Sequence, residues 1–331
     1  MASIKVGING FGRIGRTLYR LLLDYPEIEV VAVNDIADAK TLAHLLKYDS
    51  IHGVLKSNVF ATETTITVGE TSFKFSSKSS IEEIQWDGVD IVVEATGIFK
   101  TESELKKHLA GGAGKVILSV PPMDDSIKTV VLGVNDCILD GKEKIVSNAS
   151  CTTNNAAPML KIINDFCGIE QAYITTIHSY TTDQSLHDKP HKDLRRARAA
   201  GQSIVPTTTG AAKSLTKIFP ELDDVIGGCG IRVPVPNGSL CDITLNVKKE
   251  VTIDEVNALF KNAAETNFAG IIEYTEDPIV SIDIIGNTHS CIFDSQMTSV
   301  IGKMVKIIGW YDNETGYSSR IIDLALKISR K

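Results

Sequence analysis

The sequence has no apolar run long enough to cross a bilayer, which excludes a helical membrane-spanning protein. It has no excess of positive charge. The formal net charge is -7, which argues against nucleic acid as a partner of the whole chain. None of its six cysteines (Cys137, Cys151, Cys167, Cys229, Cys241, Cys291) forms a Cys-x-x-Cys pair. That pattern argues against a zinc site and a disulfide scaffold, so no metal is expected, and it favours a reducing compartment. Met1-Ala2-Ser3 leads straight into a predicted strand, so no signal peptide is expected and the location expected is cytoplasmic. The length, 331 residues, suits two domains better than one core.

The first half carries a dinucleotide-binding pattern. A short apolar strand, Ile4 to Asn9, runs into Gly10-Phe11-Gly12-Arg13-Ile14-Gly15, a complete G-x-G-x-x-G. A helical pattern follows from Arg16 to Leu23, then a second strand, Glu29 to Asn34, and then Asp35. Gly10, Gly12 and Gly15 supply a tight turn, close backbone approach to a pyrophosphate, and close helix–strand packing. The pyrophosphate would sit on the helix N-terminus, and Asp35 stands where a carboxylate accepts from a ribose hydroxyl. Strands are also predicted at Ile91–Glu94 and Lys115–Ser119. Ligands of open α/β sheets bind beyond the carboxyl ends of strands, so Thr96, Gly97 and Ser119 are candidate cofactor neighbours. The segments 64–68 and 73–75, joined around Gly69-Glu70, have the pattern of a hairpin inserted in the sheet.

The second half carries the candidate chemistry. Cys151, in Ser150-Cys151-Thr152-Thr153-Asn154-Asn155, stands between a strand end and a helical pattern. A thiol at a helix N-terminus feels the positive end of the dipole, which favours the nucleophilic thiolate. His178 ends the alternating strand 172–177 and is a candidate base. A hydrogen-bonded structural histidine is the alternative reading. His44, His52, His108, His187, His191 and His289 have no comparable setting and are read as structural. Residues 179–206 form a long stretch with little apolar periodicity, of the kind that is usually functional. Its basic run, 192–198, reads as solvated or subunit-facing in preference to phosphate-binding. Thr207-Thr208-Thr209-Gly210 precedes a helix at 211–218, an arrangement able to hold an anion. Arg232 stands in an apolar, proline-bounded segment, either paired with a carboxylate or reserved for a ligand anion. Asn313 follows the strand 306–311 and is either a helix cap or a ligand-facing amide.

Together these segments closely resemble phosphorylating glyceraldehyde-3-phosphate dehydrogenases, from Lys5 to the final helix. The motifs that carry the resemblance are residues 8–16, 149–154, His178 through Tyr180-Thr181, 195–200, 209–213, Arg232-Val233-Pro234 and 310–314. The resemblance implies a Rossmann dinucleotide-binding domain (1–150 plus 314–331) and an α+β catalytic domain (151–313), with the C-terminal helix returning to the first. It implies Cys151 as nucleophile and His178 as its acid/base partner. Ser150, Thr152, Thr209 and Gly210 would hold inorganic phosphate, and Thr181 and Arg232 the C3 phosphate of glyceraldehyde 3-phosphate. Arg13, Ile14, Asp35, Ser119 and Asn313 would contact NAD, with Lys78 near the cofactor. Residues 179–206 would be an S-loop packed against neighbouring subunits of a homotetramer. No membrane or nucleic-acid partner is implied. The sequence departs from the family's common pattern at Asn155, where many members have a second cysteine, and at Val120. At Lys189-Pro190 many NAD-dependent members have Leu-Pro. Asp35 would repel a 2′-phosphate and a nearby lysine would attract one, so NAD is expected and NADP is the alternative. The competing functional readings are an erythrose-4-phosphate dehydrogenase of the same plan and a dinucleotide-binding interaction or surface protein without catalysis.

Overall fold

A computed structural model describes residues 3–329. They fall into two compact units. One comprises the chain up to Val130, Cys137–Ala149 and the chain from Ser318 onward. The other comprises Val131–Asp136 and Ser150–Tyr317. No helix among the described residues is long and apolar enough to cross a membrane.

The first unit is built on a nine-stranded sheet. Strand β1 (Ile4–Asn9) lies between β2 (Ile28–Asn34) and the strand Ile91–Glu94, parallel to both. Parallel pairing continues outward to Lys115–Leu118, Ile145–Ser147 and Lys128–Thr129 on one side, and to Thr71–Ser76 on the other. Their near-continuous apolar runs suit strands covered on both faces. Strand order reverses on either side of β1, which makes its carboxyl end the switch point of the sheet. Thr65–Val68 pairs antiparallel with Thr71–Ser76 around Gly69-Glu70, the predicted hairpin. Its second strand is also a parallel partner of β2, so the hairpin extends the sheet edge. Helix α1 (Arg13–Leu22) starts three residues before the helical pattern does, because the glycine turn already has helical geometry at Arg13. The final helix, Thr315–Ser329, is tied within this unit by Lys115 Nζ, which donates to the Ile328 carbonyl.

The second unit is a mixed eight-stranded sheet. At its centre is the strand Ile169–Ser179, parallel to Ile226–Val233 and antiparallel to Ser239–Val247. Ser239–Val247 pairs in turn with Met304–Tyr311. Along Ile169–Ser179 and Ser239–Val247 alternate residues are buried, the period-2 pattern of a sheet with one face covered. The helix Cys151–Cys167 packs against these strands. Residues 180–204 contain no helix or strand. Ion pairs hold the segment together instead: Arg196 with Asp183 at 2.6 Å and Arg198 with Asp188 at 2.9 Å. The basic run that the sequence suggests is solvated or subunit-facing therefore makes internal cross-links with acids of its own loop.

Candidate functional site

In the first unit, two of the three glycines of the turn after β1 have a steric reason within the fold itself. Gly10 has φ +92°, and a Cβ there would lie 2.7 Å from the Thr96 amide nitrogen. A Cβ on Gly15 would lie 2.3 Å from the Gly10 carbonyl oxygen. A Cβ on Gly12 would meet nothing within 4 Å. Gly12 is also the N-cap of α1 and offers no side-chain hydrogen bond there. The turn thus leaves open space against a helix N-terminus, an arrangement able to take an anion. Asp35 directly follows β2, beside this turn. Its Oδ2 accepts from the Phe11 amide at 2.7 Å and its Oδ1 from the Ala37 amide at 3.0 Å.

Thr96 donates its amide and its hydroxyl to Glu94, and Gly97 takes φ +69°. The Ser119 amide donates to the Glu94 carbonyl at 3.0 Å. Arg13 forms a two-nitrogen salt bridge with Asp49, the shorter contact at 2.5 Å. That bridge holds the Asp49 carboxyl well below the usual range, although burial alone would raise it. Ile14 lies in the first turn of α1. The Lys78 amide donates to Asn34 Oδ1, and its ammonium stands 3.7 Å from Glu83.

In the second unit, Ser150 caps the helix Cys151–Cys167. It has extended backbone geometry, and its Oγ accepts from the Thr153 amide at 3.1 Å. Cys151 is the first helical residue and is partly exposed. Its Sγ lies 3.4 Å from Nε2 of the buried His178. Strand register explains the next neighbour. His178 and Arg232 are paired positions on two parallel strands, so their side chains leave the sheet on the same face. Nδ1 of His178 lies 2.7 Å from the Ser179 carbonyl oxygen and 2.5 Å from Nη1 of Arg232. Arginine can only donate, so the second contact needs an unprotonated Nδ1 and puts the ring proton on Nε2, facing the sulfur. The first contact needs the opposite tautomer, which leaves Nε2 free to accept a proton. Nη1 also lies 3.0 Å from that carbonyl, so guanidinium and imidazole compete for one acceptor.

Burial pushes the Cys151 thiol up, against the positive field of Arg232. Burial, then Arg232, pushes the His178 imidazole down to about 3. The helix position alone leads one to expect a lowered thiol. Here loss of solvent outweighs the Arg232 field and the hydrogen bonds at the thiol, and an isolated charge on either partner is disfavoured. Moving a proton from Sγ to Nε2 forms both charges together, and each then offsets the other.

Thr152 is buried, and its hydroxyl lies 2.9 Å from Tyr311 Oη, which is also 2.9 Å from Thr176 Oγ1. Tyr311 thus brackets the residues beside Cys151 and near His178. Tyr311 lies in the 310–314 motif, but nothing in the sequence marks these contacts. Asn313 Oδ1 accepts from Ser179 Oγ and Ser239 Oγ, both at 2.9 Å, which turns its amide nitrogen away from them. The cap role falls to Asp312, whose Oδ1 accepts from the amides of Glu314 and Thr315. Thr209 Oγ1 accepts from the Ala211 amide at 3.2 Å, and Gly210 is the N-cap of the helix Ala211–Ile218. The Thr181 carbonyl accepts from the Gln184 amide. Arg196 is a further cation near His178. It is fixed by Thr207, Asp183 and the Thr208 carbonyl, and it contributes to the lowering of the imidazole.

Residues 4–102 match the family described as glyceraldehyde 3-phosphate dehydrogenase, NAD binding domain, and residues 150–313 match its C-terminal domain. Similar full-length relatives include glyceraldehyde-3-phosphate dehydrogenase 2 of Streptomyces avermitilis, 53% identical over 334 residues. Another is glyceraldehyde-3-phosphate dehydrogenase of Geobacillus stearothermophilus, 51% identical over 333 residues. In both comparisons 99% of this chain and 99% of the relative are covered.

Proposed function

The chain belongs to the glyceraldehyde-3-phosphate dehydrogenase family, and from that premise we propose that Cys151 and His178 are its reacting pair. The protein is an NAD-dependent oxidoreductase of glycolysis that acts on D-glyceraldehyde 3-phosphate. The observation that carries the assignment is the 3.4 Å separation of Cys151 Sγ and His178 Nε2 at a helix start. The Cys151 thiolate, its proton passed to His178 Nε2, attacks the aldehyde carbon; a carbon–sulfur bond forms, the carbonyl π bond breaks, and the oxygen takes that proton back from Nε2. His178 takes the hydroxyl proton of the resulting hemithioacetal at Nε2. NAD, when bound, supplies the two-electron acceptor that turns the hemithioacetal into a Cys151 thioester. Inorganic phosphate then attacks the thioester carbon, expels the sulfur and gives 1,3-bisphosphoglycerate.

Arg232 and Thr181 hold the C3 phosphate in this reading, and Ser150, Thr152, Thr209 and Gly210 the attacking phosphate. Two anions enter the reaction, and hydroxyl-rich helix starts with a guanidinium nearby suit them. In the first unit, Gly10, Gly12, Arg13, Ile14 and Gly15 receive the dinucleotide, with Thr96, Gly97 and Ser119 at the neighbouring strand ends and Lys78 close by. Asp35 accepts from the ribose, and Asn313 presents its amide to the nicotinamide. The cofactor-binding domain is residues 1–150 with 314–331, and the catalytic domain is 151–313. The working form is a cytoplasmic homotetramer with residues 179–206 at subunit contacts. The test is a set of steady-state rates with glyceraldehyde 3-phosphate and erythrose 4-phosphate, with NAD and NADP, and with and without phosphate. Turnover should be fastest with the triose and NAD and should require phosphate. Equal efficiency for the tetrose, or no need for phosphate, would overturn the assignment.

A further inference from the structure

The carboxylate of Glu94 is buried at the end of its strand, with only donors around it. Oε2 accepts from Asn9 Nδ2 at 2.6 Å and from His108 Nε2 at 2.9 Å. Oε1 accepts from the Thr96 amide at 2.9 Å and from the Thr96 hydroxyl. His108 has no freedom to change sides. Trp86 Nε1, which can only donate, lies 2.9 Å from its Nδ1, so the ring proton is on Nε2 and points at Glu94. Asn9 passes the arrangement on. Its Oδ1 accepts from Asn34 Nδ2 at 2.9 Å, and Asn34 Oδ1 accepts from Ser76 Oγ and the Lys78 amide. One chain of hydrogen bonds therefore ties the residue before Gly10, the residue before Asp35 and the Thr96-Gly97 turn. Those three loop ends sit at the switch point of the sheet.

We infer that Glu94 is a positioning residue for the dinucleotide, its buried carboxylate fixing the glycine turn, the Asp35 turn and the Thr96-Gly97 turn in the geometry the cofactor needs. This rests on the reading of the first unit as the NAD-binding unit. Glu94 does not touch the open space beside Gly12; it acts through Asn9 and Thr96. The fit is specific to a carboxylate. Glutamine in its place would bring an amide NH2 against one of these donors, with no tautomer of His108 to relieve the clash while Trp86 donates to Nδ1.

The test is Glu94→Gln in the full-length protein, read by calorimetric titration with NAD. The dissociation constant should rise about 10-fold, as expected for a lost charge-assisted contact plus a facing donor pair. In the protein without NAD, alkylation of Cys151 by iodoacetamide should stay within about twofold of the parent, since the second unit is untouched. Backbone hydrogen exchange should rise at residues 9–16, 34–37 and 94–98. His108→Gln, whose amide can donate to Glu94 and accept from Trp86, should keep NAD affinity within about threefold. If Glu94→Gln does not fold, Asn9→Ala gives the same reading, because it removes the link to the glycine turn and should also weaken NAD binding. Unchanged NAD affinity in the folded variant would overturn the inference. So would a parallel loss of Cys151 reactivity, which marks a general folding role. A parent that binds no NAD would overturn the functional reading itself and this inference with it.

Discussion

His108 and His178 are both buried, yet their surroundings are opposites. Both nitrogens of His108 have complementary partners, a donor at Nδ1 and an acceptor at Nε2, so one tautomer satisfies the site. His178 has a carbonyl and a guanidinium at the same nitrogen, which call for opposite tautomers, and a thiol at the other. The first ring stiffens a frame. The second is held where a small shift of one neighbour changes which nitrogen carries the proton. Burial is thus a poor guide to the role of a histidine. The guide is whether its partners can all be satisfied at once.

The largest break in this comparison comes from removing the sulfur. Cys151→Ser leaves His178 facing a far weaker acid and leaves the first unit intact. Turnover should fall by about 10³-fold or more, as when a covalent nucleophile is lost, while NAD affinity stays within about twofold of the parent. Substantial turnover in the serine protein would remove the thioester route.

Arg232 comes next, because it is the source of the conflict at His178. Arg232→Ala removes the charge that holds the C3 phosphate and also the donor pressed against Nδ1. Catalytic efficiency with glyceraldehyde 3-phosphate should drop roughly 10- to 100-fold, the scale of a charge-assisted hydrogen bond. Efficiency with unphosphorylated glyceraldehyde should change much less, because that substrate has no phosphate to grip. An equal loss with both aldehydes would place Arg232 in folding and not in substrate binding.

How far these two sites are legible in sequence differs for a physical reason. The glycine turn is local: Gly10, Gly12, Gly15 and Asp35 are fixed by short-range sterics and by spacing along one strand–turn–helix–strand unit, so their pattern carries their geometry. The contact of Arg232 with His178 spans 54 residues and depends on the register of two parallel strands, which no local pattern encodes. Glu94 reads as the polar end of an apolar strand. Two of its four donors come from Thr96 two residues on, but those from Asn9 and His108 are brought to it only by the sheet and its crossover helix. Asp312 and Asn313 are adjacent, and composition alone does not say which caps the helix. The contacts of Tyr311 with Thr152 and Thr176, 159 and 135 residues away, are unreadable for the same reason as that of Arg232, although Tyr311 itself lies in the 310–314 motif.

A smaller effect appears in the pH dependence that His178 gives the fold. The native pKa of His178 is about 3, pushed down by burial and by Arg232, against 6.5 for the ordinary side chain. Between those values the unfolded chain binds a proton that the native chain does not, so stability is lost as pH falls from 6.5 toward 3. The contribution amounts to about 2 kcal/mol at about pH 5. His178→Asn lacks the titrating group. Its urea midpoint should therefore fall less than that of the parent between neutral pH and about pH 5. Parallel slopes for parent and variant would show that His178 takes up its proton in the folded protein as readily as in the unfolded one.

The smallest effect concerns the choice between NAD and NADP, and it sets a fixed acid against a loose base. Asp35 is held by two backbone amides, from Phe11 and Ala37. Its carboxylate cannot swing aside, so a 2′-phosphate in place of the ribose hydroxyl meets a fixed like charge and loses an acceptor. Lys189 is exposed on a segment without regular structure, anchored through its backbone amide to the Ala197 carbonyl. Its ammonium is screened by solvent and salt, and holding the long stem in one place costs side-chain entropy. The fixed charge should win, so the parent prefers NAD. Asp35→Ala should narrow the ratio of catalytic efficiencies for NAD over NADP by removing the repulsion. Lys189→Leu should widen it by no more than about 2- to 5-fold, the range of an exposed ion pair. The lysine effect should vanish at high salt, whereas the Asp35 effect, made at close range, should largely persist. A parent that favours NADP would mean that the lysine is ordered by a partner able to fix it as firmly as the two amides fix Asp35.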